Sequence, residues 1–356
     1  MRVGLISRVF FPSTKGGAER YIYEVAKAID LMGHEVSTLS WQDSDLAFHS
    51  KVNLPSIRYV THSLFPLYVR KWVAQQDLVI LNQYWGEYSP LVINKPFIPI
   101  LHDVGLFTSD RNESIRNYLR RQILKRAVKR AKAIVVPSEM VKAEVVEHLN
   151  VEPSKIEVVL EGGHLPDSEL PPIKSDTPVV LTVGRFAPNK GQRELIEAFN
   201  LVQEKLGCQL WVAGYVGKPY QDYFDEIARQ TGPNITLFSN IEDEKLVQLY
   251  KSADLFVAPS LSEEGWGISL TEALRFRLPA VCSDLFEKTG VASNDRALIV
   301  DRTPRETYSE RLAEGIAALL DDEAQRREYA GRGGDWADAL SWAATAKDIM
   351  RIAEGI

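Results

Sequence analysis

Residues 161–184 read EGGHLPDSELPPIKSDTPVVLTVG. Up to Pro178 the stretch is rich in Pro, Gly and acidic residues and follows neither a helical nor a strand period; from Val179 an apolar run takes over and ends at Gly184. A break of this composition near the middle of a 356-residue chain, longer than one hydrophobic core usually organises, predicts a linker between two domains. On its N-terminal side lie the short apolar runs RVGLIS, EVSTLS, DLVILN, PFIPILHD, AIVVPS and IEVVLEGG. On its C-terminal side the rhythm restarts with PVVLTVG, QLWVAG, ITLFSN, DLFVAP and AVCS. These read as buried strands, because each is apolar without alternation and ends in Gly, Ser, Asp, Asn or Pro. Helical patterns lie between several of them. AERYIYEVAKAIDLMG, for example, repeats its apolar residues near every 3.6 positions and meets a stop at Gly33. Strand, helix, strand implies a parallel sheet, so the expected architecture is two doubly wound α/β domains facing a cleft.

Composition narrows the function. With 45% hydrophobic and 25% charged residues and a net charge of −6, the chain is an ordinary globular protein with no electrostatic footprint for nucleic acid. Its two cysteines, Cys208 and Cys282, sit inside apolar runs and read as buried free thiols of a reducing compartment. The opening MRVGLISRVFF is too short for a secretory apolar region, and no window approaches the ~18 apolar residues of a membrane span. A cytoplasmic location is expected.

Open parallel sheets bind ligands at the carboxyl ends of their strands, which directs attention to four loops. In STKGGAERY, Gly16 and Gly17 precede a helix and let backbone amides approach an anion or a sugar; a flexible loop serves equally well as an explanation. In GRFAPNKGQRELIEAF, Arg185 and Lys190 precede a helix N-terminus. Two cations there oppose the helix dipole, and a bound anion such as a diphosphate accounts for them, with plain solvation at the surface as the alternative. The loop is not a Walker P-loop, since no Gly-Lys-Ser/Thr is present, and the chain holds no Gly-x-Gly-x-x-Gly. In SEEGWGISLTEALRFRLPAV (262–281), Ser269 and Glu272 have the spacing of a capping box, which explains one carboxylate structurally. It leaves Glu263 and Glu264, beside Gly265 and Gly267, unexplained. In PILHDVG, His102 ends a strand run; a lone histidine is more often structural than catalytic, and only its place at the carboxyl edge favours a catalytic role.

Taken together, EEGWGISLTEA with its glutamates eight positions apart, VGRFAPNKG, KGGAER and His102 after the fourth apolar run resemble glycosyltransferase family 4, retaining enzymes of the GT-B fold. The resemblance spans nearly the whole chain in order and spacing. It implies an acceptor-side domain over 1–165, a linker over 166–176, a nucleotide-sugar domain over 177–335, and a C-terminal helix within 336–356 packing back on the first domain. Arg185 and Lys190 would contact the diphosphate, with amides around Gly267, Ile268 and Ser269. Glu264 would contact the donor-sugar hydroxyls and Glu272 the ribose. His102 and the Gly16–Gly17 loop would lie near the transferred sugar, and the nucleobase near Ser239 and Asn240. Neither metal nor other cofactor is expected, because cationic side chains and amides would meet the charge of the leaving diphosphate. Partners would be a UDP- or GDP-sugar and a sugar or lipid-linked acceptor, as in polysaccharide or glycolipid synthesis.

The sequence departs from the family pattern at VVLEGGHLP, where relatives carry an Asn-Gly-Val-Asp turn, and at Trp266, a position often held by Phe. Asp43 and Asp45 in QDSDL mimic the metal-binding Asp-x-Asp of a different transferase fold and are discounted on context. A GT-B sugar-nucleotide epimerase or hydrolase, and a non-catalytic sugar-nucleotide binder, are the two readings from other classes. Finally, RNESIRNYLRRQILKRAVKRAKA places nine Lys and Arg residues over 111–132 of an acidic chain. Ile115, Leu119, Ile123, Ala127 and Ala131 would form the stripe that packs on the sheet, leaving the positive charge outward. That face is either solvated surface or a site for peripheral attachment to an anionic membrane.

Overall fold

The computed structural model describes residues 1–53, 58–83, 89–108, 115–163 and 165–356. They form two compact units. The first is Met1–Gly162 together with Trp342–Ile356, and the second is Gly163–Ser341.

The first unit is built on a seven-stranded, wholly parallel sheet of β1 (Arg2–Ile6), β2 (Glu35–Ser40), β3 (His49–Lys51), β4 (Leu78–Asn82), β5 (Phe97–Ile100), β6 (Ile134–Val136) and β7 (Ile156–Val158), in the order 3-2-1-4-5-6-7. The order reverses at β1, as in a doubly wound fold. β4 is buried at every residue and β1 at all but its first, as expected of parallel strands covered on both faces. β3 escapes the apolar pattern: its sequence is HSK, and it survives as a short edge strand. The helix Gly17–Leu31 ends at Met32 with Gly33 at φ +85°, the left-handed conformation that a glycine adopts without strain. Against it packs the helix Trp342–Glu354.

The second unit holds a six-stranded parallel sheet of β8 (Val179–Val183), β9 (Gln209–Gly214), β10 (Ile235–Ser239), β11 (Leu255–Ala258), β12 (Ala280–Ser283) and β13 (Leu298–Val300), in the order 10-9-8-11-12-13. Its two faces separate cleanly. Val179, Leu181, Phe256, Ala258 and Cys282 join one buried cluster, while Val180, Leu255, Val257 and Val281 join another, so alternate residues of each strand bury against opposite helical layers. Both cysteines are buried and unbridged.

The unit boundaries differ from those read in the sequence. Residues 166–176, expected as a linker, fall within the second unit: Leu165 joins its core, Ser168 Oγ donates to the Glu244 carbonyl at 3.2 Å and the Ile173 amide to Ser252 Oγ at 2.7 Å. Residues 336–341 also belong to this unit, and only the helix from Trp342 returns to the first. Proline and charge marked an irregular path, which here is a packed one.

Candidate active site

In the second unit the central strands β8 and β11 are neighbours, so the loops that follow them meet at the carboxyl edge. They are laced together. The Leu261 amide donates to the Asn189 carbonyl at 2.8 Å, and Asn189 Nδ2 donates to the Ser262 carbonyl at 3.2 Å. Gly191, at φ +71°, lies so close that a Cβ would stand 2.1 Å from the Pro259 carbonyl oxygen. At Gly214 a Cβ would stand 1.8 Å from the Gly184 oxygen, so the ends of β8 and β9 can approach only with glycine there.

This lacing sets the charged groups. Lys190 ends a one-turn 3-10 segment, Pro188–Lys190, before the helix Gln192–Leu206. Its Nζ lies 2.5 Å from Glu264 Oε1, and Ser260 Oγ donates to the same oxygen at 2.6 Å. Both side chains of the Lys190–Glu264 pair are largely buried, at 19% and 13% exposure, so the pair is held inside the loop cluster rather than in bulk water. Glu263, next to it, has φ +58°, a conformation a side chain rarely adopts and one that clusters at ligand-binding loops. Arg185 is exposed, with its guanidinium carbon 5.2 Å from the centre of the Tyr220 ring, and its carbonyl accepts from Gln192 Nε2 at 2.9 Å.

The capping-box reading of Ser269 and Glu272 does not hold. The helix Ile268–Arg275 is preceded by Gly267 at φ +123°, and Ser269 is its second residue rather than its cap. Gly267 supplies no side-chain cap, which leaves the first-turn amides to be met by another acceptor. Glu272 is buried, and its Oε2 accepts from the Tyr250 hydroxyl at 2.8 Å. At the far end of the edge, Ser239 closes β10 and Asn240 follows at φ +55°, its Oδ1 accepting from the Val216 amide at 3.0 Å. The second-unit residues singled out by sequence therefore share one edge of one sheet.

In the first unit His102 follows β5, the fifth strand once β3 is counted. Its Nε2 lies 2.8 Å from Asn82 Oδ1 and its Nδ1 3.0 Å from Glu161 Oε1. Sequence reasoning found His102 but neither partner. Gly16 precedes the helix Gly17–Leu31 as its N-cap, and Asn82 Nδ2 donates to the carbonyl of Ala18 at 3.2 Å, joining that loop to the histidine. Asp43 pairs with Lys51 at 2.7 Å, and Asp45 is hydrogen-bonded to Tyr23, whose phenol is pushed up by burial and then by that bond. Among the described residues no group of three or more His, Cys, Asp or Glu side chains is placed to hold a metal ion.

Most of the basic stretch lies on the helix Ile115–Arg130, with Lys132 just past its end; Arg111 and the side chain of Arg116 are outside the described residues. Its apolar stripe is only half buried. Ile123, Ala127 and Ala131 are in the core, but Ile115 is 80% exposed and Leu119 45%, with Tyr118 beside them at 59%. Several of its cations are tied down locally: Arg121 donates to the Leu106 carbonyl, Arg130 to the carbonyls of Pro90 and Ile93, and Lys125 lies over the Phe107 ring. Arg126 and Lys129 are exposed. Among the described residues no helix is long and apolar enough to cross a membrane.

Comparison with known proteins agrees with this geometry. A family model described as Glycosyltransferase Family 4 matches residues 15–162, and one described as Glycosyl transferases group 1 matches residues 167–335. The chain is 24% identical over 382 residues to a phosphatidyl-myo-inositol mannosyltransferase of Mycobacterium tuberculosis, covering all of this chain and 97% of that one. It is 25% identical over 313 residues to a D-inositol 3-phosphate glycosyltransferase of Corynebacterium efficiens, covering 80% and 72%. Among solved structures, a sucrose-phosphate synthase from Thermosynechococcus elongatus superposes with a TM-score of 0.80 at 19% identity, covering 100% of this chain and 98% of that one. The Anabaena HepE protein in complex with UDP and glucose superposes at 0.79 and 17% identity, with both chains covered completely. Two matched domains in this order, each on a doubly wound parallel sheet, make the chain a glycosyltransferase of family 4 with the GT-B fold.

Proposed function

We propose that the chain transfers a sugar from a UDP- or GDP-sugar to a hydroxyl acceptor with retention of anomeric configuration and without a metal, in glycolipid or polysaccharide synthesis. The observation that carries the reading is the Lys190–Glu264 pair, which puts a phosphate-type cation and a hydroxyl-type acceptor on one laced pair of loops. A nucleoside diphosphate leaving group gains negative charge as the glycosidic bond breaks. Arg185, Lys190 and the uncapped first-turn amides after Gly267 meet that charge without reorganising. Glu264 orients the sugar through its hydroxyls, Glu272 holds the ribose, and the nucleobase lies by Ser239 and Asn240. The acceptor hydroxyl attacks the face that the diphosphate leaves, and a diphosphate oxygen takes its proton. His102 and the Gly16–Gly17 loop serve the sugar from the first unit. The relatives named for inositol-containing acceptors, and the neighbour bound to UDP and glucose, support the classes of acceptor and donor.

The test is a thermal-shift screen with UDP-, GDP- and ADP-sugars, followed by turnover assays with and without acceptor. A ligand at about 100 times its Kd raises stability by roughly 2.7 kcal/mol, a shift easily seen. One nucleotide series is expected to stabilise, and turnover should persist in EDTA. Activity lost in EDTA and restored by Mg²⁺ would overturn metal independence, and donor hydrolysis or epimerisation that ignores every acceptor would overturn transfer.

We further propose that the helix Ile115–Arg130 is where the enzyme meets an anionic membrane that carries the acceptor. Exposed Ile115, Tyr118 and Leu119 supply apolar contact, and Arg126 and Lys129 supply charge at about 1 kcal/mol per basic residue. Co-sedimentation with anionic but not neutral vesicles is expected, weakening as salt rises and when Tyr118, Leu119, Arg126 and Lys129 become Ser. Equal recovery with both vesicle types, or with neither, would leave the helix as solvated surface and favour a soluble acceptor.

A further inference from the structure

His102 sits at the centre of a hydrogen-bonded chain whose far member, Glu161, belongs to none of the loops that mark the donor site. Both residues are largely buried, with side-chain exposures of 12% and 4%. Asn82 fixes one side of the ring. Its Nδ2 donates to Ser7 Oγ at 3.1 Å and to the Ala18 carbonyl at 3.2 Å, and since a carbonyl only accepts, the amide must present Oδ1 to His102. The ring nitrogen facing it, Nε2, therefore carries a hydrogen. The other nitrogen, Nδ1, faces the Glu161 carboxyl at 3.0 Å, and a lone pair set against a carboxylate would repel it. A hydrogen on Nδ1 turns this contact into a hydrogen bond to the carboxylate and leaves the pair net neutral.

We infer that Glu161 is a positioning residue for His102, setting the ring's orientation and the hydrogen on Nδ1 for the sugar-transfer step. The inference rests on the reading of His102 as a sugar-side group. Glu161 is well placed for such a role. It follows β7 and is buried, and the carbonyl of the preceding residue, Leu160, accepts from Thr345 Oγ1 at 2.8 Å, which anchors the segment to the helix Trp342–Glu354. The first residue of that helix, Trp342, packs edge-on against Tyr21 with centroids 5.8 Å apart, and Tyr21 in turn packs edge-on against the His102 ring at 4.8 Å. The backbone is fixed as well: Gln83 Oε1 accepts from the amides of His102 at 2.5 Å and Asp103 at 3.0 Å. Burial, and after it the charge of Glu161, push the Tyr21 phenol well above its usual range. Through Asn82 and Ala18 the chain ends at the helix that opens with Gly17, so Glu161 acts on both first-unit features assigned to the transferred sugar. Both ring nitrogens are engaged within the unit. The ring meets a sugar hydroxyl only by exchanging Asn82 for it at Nε2, and a ring held at Nδ1 by Glu161 keeps its orientation through that exchange.

Glu161→Gln, Glu161→Asp and Glu161→Ala in the full chain separate charge, reach and contact. With the UDP- or GDP-sugar that the wild type turns over, Glu161→Ala is expected to lower kcat by about 10²-fold, the scale of a misplaced group, while the donor KM changes by less than about threefold. Glu161→Gln keeps the shape and can offer its amide to Nδ1, so it is expected to retain more activity than the alanine variant. It should also convert the His102 ring to the neutral tautomer protonated at Nε2, read as a change in its ¹⁵N side-chain signals, which are assigned by their loss in His102→Gln. His102 signals and kcat both unchanged in Glu161→Gln and Glu161→Ala would overturn the inference. So would losses of kcat that simply follow a lowered Tm to the same extent in all three variants, with the His102 signals of Glu161→Gln as in the wild type. A wild type that turns over no sugar nucleotide would sink the functional reading instead, while the ring signals would still report on the Glu161 contact.

Discussion

Glu264→Gln is expected to lower turnover by about 10²–10³-fold, the size of effect seen when one group aimed at developing charge is lost from an enzyme site. The substitution is nearly isosteric and keeps an acceptor oxygen for Ser260, so the loop should hold its shape. What it removes is the negative charge opposite Lys190 and the strongest acceptor for sugar hydroxyls. Nucleotide affinity should therefore stay level or rise, because Lys190 no longer divides itself between Glu264 and the diphosphate. Calorimetric titration of UDP and GDP, alongside kcat on the sugar nucleotide, reads both effects. Turnover within about threefold of wild type would take Glu264 out of the transfer step, since a charge-assisted contact to the reacting sugar is worth well over 1 kcal/mol. Glu272 supplies the contrast. It is buried and bonded to Tyr250, so Glu272→Gln should mainly weaken donor binding, and a loss of Tm alone would leave it a structural acceptor for that tyrosine.

The fold was legible wherever burial on both faces forces an apolar run. VVLTV and LVILN, for instance, carry their assignment in their composition. β3 was not, because an edge strand of sequence HSK has no buried face to impose a pattern, and β13, three residues long, lies in a run too short to stand out. The loops proposed to hold the donor stood out in the sequence because glycine, cation and carboxylate follow the ends of apolar runs there. Their detail did not: SLTE fits a capping box, yet the chain turns into the helix through Gly267 at φ +123°, a choice made by the packing of the loop. Helical periodicity likewise told which side of Ile115–Arg130 is apolar but not how far the sheet extends beneath it, so Ile115 and Leu119 were assigned a partner surface that they lack. Glu161 illustrates the largest gap. It stood out only as a departure from a family turn, and nothing in the spacing of 82, 102 and 161 announces that the three side chains meet.

The two cations of the donor edge are not equivalent, and alanine at each should show it. Arg185 is exposed and rests on the Tyr220 ring, so Arg185→Ala removes a charge-assisted phosphate contact of about 1.5–3 kcal/mol, roughly 10- to 10²-fold in nucleotide affinity, and little else. Lys190→Ala should weaken binding more. It removes a similar contact and also leaves Glu264, only 13% exposed, as an uncompensated carboxylate beside the incoming diphosphate. The excess belongs to the pair, and a double-mutant cycle isolates it: adding Glu264→Gln should raise nucleotide affinity more in the Lys190→Ala background, where it removes an uncompensated charge, than in the Arg185→Ala background, where Lys190 still faces it. Salt gives a second reading. The wild-type affinity for UDP or GDP should fall as ionic strength rises, and the slope should flatten in each single variant as one cation leaves the site. Folded variants that bind nucleotide as the wild type does would remove both residues from the phosphate site. Strictly additive effects of Lys190→Ala and Glu264→Gln would show that their 2.5 Å contact plays no part in receiving the donor.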